Sequence, residues 1–526
     1  NLSPLLSQGP LRAAGGLLAR LEMLLNGGGA LGRLLRVVGV FRVVKYSPTR
    51  GCVAVYYITF QRTQSATLSP MLLLSFQERF ARTFVPEPFR QLARQTRWSR
   101  RQGKIDSFEF LTSLVFGQMA ASRPTLSSQA QSLSEAVTRQ GIDQRYNPQA
   151  VEYLKASFAH VMAQTLDWSP AHPQAEALRA HFGALYLLDS TCFDCPESLQ
   201  DLFPACGGDG SAANLKVLLR YELITGRLEP LQVLAGKRSD QGQALGAAQR
   251  LLEGQLQLQD KGFYDAKAWQ AAQQRGAYLL MPLPHSLTLW LAEPADPKET
   301  QLDLAAALAA SVEDQVSWSA LYLGRKGHRA GPLRLVAFRL SPGSAERHRR
   351  GLRESMRTQG RTPSAQALQL AGWLLLVTNA PAQKLPSSMM SYLYRLRWQV
   401  ELIFRQTKTV LRLNKSESNA PDRVQCEVWA RLICAVLLFL WHAHASAQCW
   451  RLHGCEVSFE KLIRLMQHWG LTVARAFLGE ASGLLGLLRT LWKHILCNAR
   501  KGRQKSRPTT WENLFDLWLN SKTNPA

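Results

Sequence analysis

Acidic residues are scarce in this sequence. There are 38 Asp and Glu against 63 Lys and Arg among 526 residues, a net charge of +25. A surplus of that size points to a polyanionic partner, either nucleic acid or an anionic membrane surface. Long apolar runs are also missing. The richest, Leu432 to Trp441, falls short of the roughly 20 apolar residues that a membrane span needs. The N-terminal Leu/Gly/Arg stretch lacks the basic, then apolar, then small order of a signal peptide. Cysteine is sparse and odd in number, at nine, which fits a reducing cytosol rather than a disulfide framework. Charged residues make up only 19% while hydrophobic residues reach 46%, so wholesale disorder is excluded. The expectation is a cytoplasmic protein without a membrane partner that faces nucleic acid, bound to the nucleoid when on DNA. Its length suggests roughly three or four domains.

Residues 1–70 differ from the rest, with eight Lys/Arg, a single acid (Glu22) and a glycine run at Gly27–Gly29. They show no sustained period and are read as an upstream extension outside the functional fold, the other reading being a basic arm that touches DNA. From 71 to 180 the pattern is helical and is assigned to a DNA-binding region. Within it, Leu133 to Arg139, then Gly141, then a helix from about Asn147 reads as a helix-turn-helix, or as two packed helices with a glycine turn.

At 184 the period changes. Ala184–Leu188 is a short, fully apolar strand expected to end at Asp189. Leu215–Thr225 and Leu228–Ala235 form a hairpin at Gly226, a helix covers Gln241–Leu252, and the strand Gln255–Gln259 ends at Asp260. A helix from Asp265 to Gln274 and a strand over Ala277–Leu283 follow. This order predicts a mixed α/β sheet over 181–284. Residues 285–370 read as a β-rich insertion, with eleven Lys/Arg against two acids between Arg325 and Arg361. The sheet resumes over 371–424 with Trp373–Thr378 and a long helix from about Ser387 to Leu413. The remainder, 425–526, is helical and basic. From Arg489 to Arg507 it carries seven cations and no acid, among them Arg500, Lys501 and Arg503, which suits binding to a DNA backbone.

Asp189 and Asp260 stand where strands are expected to end, the place where functional groups collect in open α/β sheets; each alone could be a turn residue. On the 387–413 helix, Tyr394, Arg397, Glu401 and Lys408 fall within about 60° of one another at 100° per residue. Leu393, Val400, Phe404 and Leu411 occupy the adjoining face. The other signals are weaker. Cys192, Cys195 and Cys206 lack the second close pair that a structural zinc site needs. His442 and His444 read as a helix end, and Gly207–Gly210 reads as a plain loop.

The run Tyr394-Arg-Leu-Arg-Trp-Gln-Val-Glu401-Leu-Ile-Phe-Arg-Gln-Thr-Lys408 resembles the Tyr-Arg-Glu-Lys signature of the insertion sequence 4 family of bacterial DDE transposases. Asp189-Ser-Thr and Asp260-Lys-Gly-Phe-Tyr-Asp resemble that family's two earlier blocks, in the same order and with a long insertion before the Glu. The resemblance runs from about Ser75 to Pro508. It implies an RNase H-like core interrupted by a β-rich insertion, with helical N- and C-terminal regions. It also implies a catalytic triad of Asp189, Asp260 and Glu401 holding two Mg²⁺ ions, with Mn²⁺ as a possible substitute. Tyr394, Arg397 and Lys408 would touch the phosphates of the end DNA, and Trp398 would hold an unstacked base or pack in the core. If cleavage passes through a hairpin, Trp290 or Trp318 would supply a second aromatic wedge.

The implied partners are the transposon's terminal inverted repeats and target DNA, and the implied assembly is a homodimer in the synaptic complex. The resulting expectation is a cut-and-paste DNA transposase. The alternatives are a catalytically inactive DNA-binding descendant and a metal-dependent nuclease without strand transfer.

Overall fold

The computed structural model describes residues 40–46, 55–61, 80–81, 84–99, 103–119, 125–165, 176–207, 211–284, 287–291, 301–325, 328–397, 418–478 and 481–502. The chain divides into two units, Asn1–Gln77 and Glu78–Ala526. The first contains an antiparallel hairpin of β1 (Val40–Tyr46) and β2 (Val55–Gln61), in register from Val40↔Gln61 to Tyr46↔Val55. Both seven-residue runs are rich in β-branched and aromatic residues, which favour strands. They are too short to register as a sustained period.

The second unit is built on a nine-stranded sheet in the order β5-β4-β3-β6-β7-β11-β10-β9-β8. Its strands are β3 (Leu185–Cys195), β4 (Ala213–Glu222), β5 (Arg227–Ala235), β6 (Leu256–Gln259), β7 (Tyr278–Pro282), β8 (Leu289–Trp290), β9 (Gln315–Arg325), β10 (His328–Arg339) and β11 (Trp373–Thr378). β3, β4 and β5 are antiparallel neighbours, whereas β3, β6 and β7 run parallel. Three antiparallel strands followed by two parallel additions beside the first are the RNase H-like arrangement. Gly226, with φ 74°, makes the turn between β4 and β5, a conformation that suits glycine. The strands of the 285–370 stretch do not form a sheet of their own. β11 pairs antiparallel with β7, and β10, β9 and β8 follow in turn. The edge of β7 is thereby covered rather than left open.

Among the described residues, six helices precede the sheet: α1 (Pro86–Gln95), α2 (Ser107–Gly117), α3 (Leu126–Gln131), α4 (Arg139–Asp143), α5 (Pro148–Thr165) and α6 (Glu176–Phe182). Asp106 caps α2 by accepting from the amides of Phe108 and Glu109, and Thr125 and Ser128 form a capping box on α3. The expected helix-turn-helix is not formed. Residues 133–138 are not helical, and Gly141 lies inside the five-residue α4, whose first turn is set by the Thr138 hydroxyl accepting from the Gly141 amide.

Next come α7 (Gln241–Ala248), α8 (Ala266–Gln274), α9 (Leu304–Ala310), α10 (Pro342–Arg357), α11 (Ala365–Leu370) and α12, described over 387–397. Three helices close the described chain: α13 (Pro421–His453), α14 (Phe459–Leu478) and α15 (Ala481–Asn498). α13 is long and apolar enough to cross a membrane, yet 89% of its most apolar 18-residue stretch is buried inside the protein. It packs on α2, α5 and β5, and Trp441 meets Phe80 edge-on at 5.0 Å. His442 and His444 lie within α13 rather than at its end. The half-buried ring of His442 reaches the Val457 carbonyl at 2.9 Å through Nε2, and the helix stops at Gly454 in a left-handed conformation.

Candidate active site

The centre of the sheet is apolar because its parallel strands are covered on both faces. Leu185, Leu187, Leu188, Leu256 and Leu258 are all fully buried. Leu188 pairs with Gln259 across β3 and β6, so the next residue on each chain is an aspartate. Asp189 and Asp260 therefore stand side by side on neighbouring segments that, at sheet spacing, lie about 5 Å apart. Asp260 ends its strand as expected, and its carbonyl accepts from the Phe263 amide at 3.0 Å to turn the chain. Asp189 does not end its strand. β3 continues six residues to Cys195 because β4 pairs with it along that whole length. Only the burial changes there, from continuous to alternating, as one face opens.

α12 delivers the third group. Leu393 and Leu396 are buried at 0% and 5% exposure, which seats the helix and leaves Tyr394 and Arg397 half-buried beside the aspartates. Arg397 Nη1 lies 3.6 Å from Asp189 Oδ2, with the two side chains 17% and 19% exposed. Its guanidinium carbon is 5.6 Å from the centre of the Tyr394 ring. Burial works against the arginine's charge, but Tyr394, Asp260 and Asp189 together outweigh it and hold the guanidinium above its ordinary range.

Two adjacent carboxylates oppose one another's ionisation unless a cation is near, and here one positive charge is already drawn to both. Oxygen-only donors of this kind suit a hard divalent ion. Among the described residues no group of three or more His, Cys, Asp or Glu side chains could hold a metal ion. Glu401, Trp398 and Lys408 lie outside the described residues.

The sequence profile of the transposase DDE domain matches residues 181–437, the span that carries this site. The transposase of insertion sequence element IS231F from Bacillus thuringiensis subsp. israelensis is 25% identical over 381 residues, covering 69% of this chain and 79% of that protein. The IS231B transposase from Bacillus thuringiensis subsp. berliner is 24% identical over 458 residues, covering 84% of this chain and 94% of the relative. The chain belongs to the DDE transposases of insertion sequences. A solved structure, the piggyBac transposase synaptic complex with hairpin DNA, aligns with this transposase at a TM-score of 0.41 and 12% identity, over 83% of this chain and 87% of that one.

The other residues singled out in the transposase sequence are placed as follows. Arg500 reaches His453 Nε2 at 2.8 Å, and Lys501 reaches Glu456 Oε2 at 3.2 Å, so both tie the end of α15 to the turn after α13. Arg503 lies outside the described residues, whereas Arg489 and Lys493 are exposed on α15. Trp290 is 7% exposed and donates its indole N–H to the Gly324 carbonyl at 3.0 Å, which is core packing. Trp318 is half-buried against a core cluster that includes Leu321, Leu323 and Leu335. Cys195 and Cys206 each bond a backbone carbonyl.

Sequence reasoning missed three side chains of the transposase beside the aspartate-bearing segments: Gln259, Lys216 and Asp240. Gln259, buried next to Asp260, donates to the Phe263 carbonyl at 3.4 Å. Ser190 and Lys216 both bond Asp240. A buried glutamine in an otherwise apolar strand was the available signal for the first. Asp240 reads in sequence as an ordinary helix cap.

Proposed function

We propose that the enzyme carries out cut-and-paste transposition on DNA in the bacterial cytoplasm, as a homodimer that pairs two transposon ends. The observation that carries this reading is the placement of Asp189 beside Asp260 with the Arg397 guanidinium drawn to both. Asp189, Asp260 and Glu401 would hold two Mg²⁺ ions. Divalent ions of this kind supply Lewis-acid activation of an attacking oxygen and stabilise the leaving one. Water attacks the end phosphodiester to leave a 3′-OH, and that hydroxyl then attacks a target phosphodiester, displacing a second 3′-oxygen.

Arg397 and Tyr394 would contact the reacting phosphate, to which a guanidinium forms charge-assisted bonds. Lys408, by its spacing in the sequence, would join the same contact, and Trp398 is suited to holding an unstacked base. Metal-dependent end cleavage tests the reading, with the DNA flanking the gene as substrate and Glu401→Gln as the comparison. Nicking by wild type alone supports it, and equal DNA binding without cleavage by either protein would sink it.

α10 adds a basic face to the duplex-binding surface. Arg347, Arg350 and Arg357 are exposed, while Glu346 is taken up by Arg349 at 3.8 Å and Arg353 at 3.1 Å. Replacing the three exposed arginines with Ala is expected to weaken end-DNA binding. The slope of log K against log salt should fall by about 0.9 for each phosphate that the variant leaves unneutralised. A titration series from low to moderate salt measures it, and an unchanged slope removes α10 from the interface.

A further inference from the structure

Asp240 occupies the N-cap of α7, where a carboxylate ordinarily accepts from the helix's own first amides, but it makes no such bond. Ser239 does that work, its hydroxyl accepting from the Gly242 amide at 3.2 Å. Asp240 Oδ1 instead accepts from Ser190 Oγ at 2.7 Å and from Lys216 Nζ at 3.0 Å. Lys216 is itself fixed, only 10% exposed and bonded also to the Arg238 carbonyl at 2.7 Å. The other carboxylate oxygen faces Gly262, where a Cβ would lie 3.7 Å away.

Ser190 follows Asp189, and its amide donates to Asp189 Oδ1 at 2.8 Å. Gly262 lies two residues beyond Asp260. Successive strand residues point to opposite faces, so Asp240 bonds Ser190 from behind the sheet, and it lies at van der Waals range of the Gly262 turn on the second aspartate-bearing segment.

We infer that Asp240, clamped by Lys216, is a positioning residue that keeps the Ser190 and Gly262 segments in register and so sets the spacing of the Asp189 and Asp260 carboxylates for a divalent cation. The inference rests on the reading that those carboxylates hold such a cation. Removing an outer partner of this kind typically costs 10–100-fold in metal affinity.

The test is Mn²⁺ binding to the full chain, followed by the paramagnetic signal of the free ion, with melting temperature measured in parallel. Asp240→Ala is expected to weaken Mn²⁺ binding by about tenfold. Asp240→Asn keeps an acceptor oxygen for Ser190 and should bind within about threefold of wild type, on the scale of one neutral hydrogen bond. Ser190→Ala should fall between them. Ser239→Ala removes the α7 cap alone, so it should lower the melting temperature and leave Mn²⁺ binding unchanged.

Unchanged binding in Asp240→Ala and Ser190→Ala overturns the inference, as does equal weakening in Ser239→Ala. Should Asp240→Ala fail to fold, Ser190→Ala and Asp240→Asn decide. Wild-type binding that Asp189→Asn does not disturb is a different failure, because it removes the metal reading of the site itself.

Discussion

Asp189→Asn and Asp260→Asn are each expected to lower metal-dependent end cleavage by on the order of 10³-fold or more. Asparagine keeps the size and the hydrogen-bonding oxygen but loses the charge that a divalent ion requires. Lewis-acid stabilisation is worth several kcal/mol, and each 1.36 kcal/mol is a factor of ten in rate. Binding to end DNA without metal should persist or tighten, since a carboxylate facing phosphate repels it. The measurement is single-turnover cleavage in Mg²⁺ and in Mn²⁺, with a gel-shift titration in chelator alongside. Cleavage within tenfold of wild type in either variant would show that the missing carboxylate is not a metal ligand.

The second large effect is on stability. Arg220 on β4 stands opposite Glu229 on β5, their side chains 8% and 6% exposed and 2.6 Å apart. Arg227 bonds the same carboxylate, and the Arg220 guanidinium also lies 4.2 Å from the centre of the Tyr186 ring. Removing one member of a buried ion pair strands the other's charge in the interior, at a cost of about 3–5 kcal/mol. Glu229→Ala should therefore move the denaturation midpoint of this unit sharply downward. The triple change Arg220→Met, Arg227→Met and Glu229→Leu should recover most of that loss, because well-packed apolar residues replace such buried charge groups at little or no net cost. A single variant that melts within a degree or two of wild type would mean that water reaches the pair.

The sheet was legible where residue chemistry and burial changed together. Asp260 follows four buried residues of β6 and precedes Lys-Gly, so strand end and sequence break coincide. At Asp189 they do not. The strand goes on to Cys195 with Thr191, Phe193 and Cys195 buried and Cys192 and Asp194 exposed, and a reading tuned to continuous apolarity stops where alternation begins. α13 falls within the stretch that reads as helical, but only its ten-residue apolar run stands out in the sequence and its bounds do not. Its 33 residues are bounded by packing on several sides rather than by a single stripe.

The candidate site divides in the same way. Tyr394 and Arg397 lie on one face of a helix, which a fixed 100° step makes readable. Asp240 meets Ser190 across 50 residues, and no local pattern encodes such a meeting. The predicted helix-turn-helix fails for the opposite reason: glycine in the sequence signals a turn, while the Thr138 hydroxyl begins a helix there.

The nine-stranded sheet has two edge strands. One is β8, two residues long and bridged by Gln301 at Trp290. The other is β5, which contains Pro230 and lies against α13; proline offers no amide to a ladder. A protein of charge +25 that gathers on DNA raises its own local concentration many times over, the condition under which exposed strand edges begin to polymerise. An edge strand of two residues and one interrupted by proline are poor templates for that polymerisation.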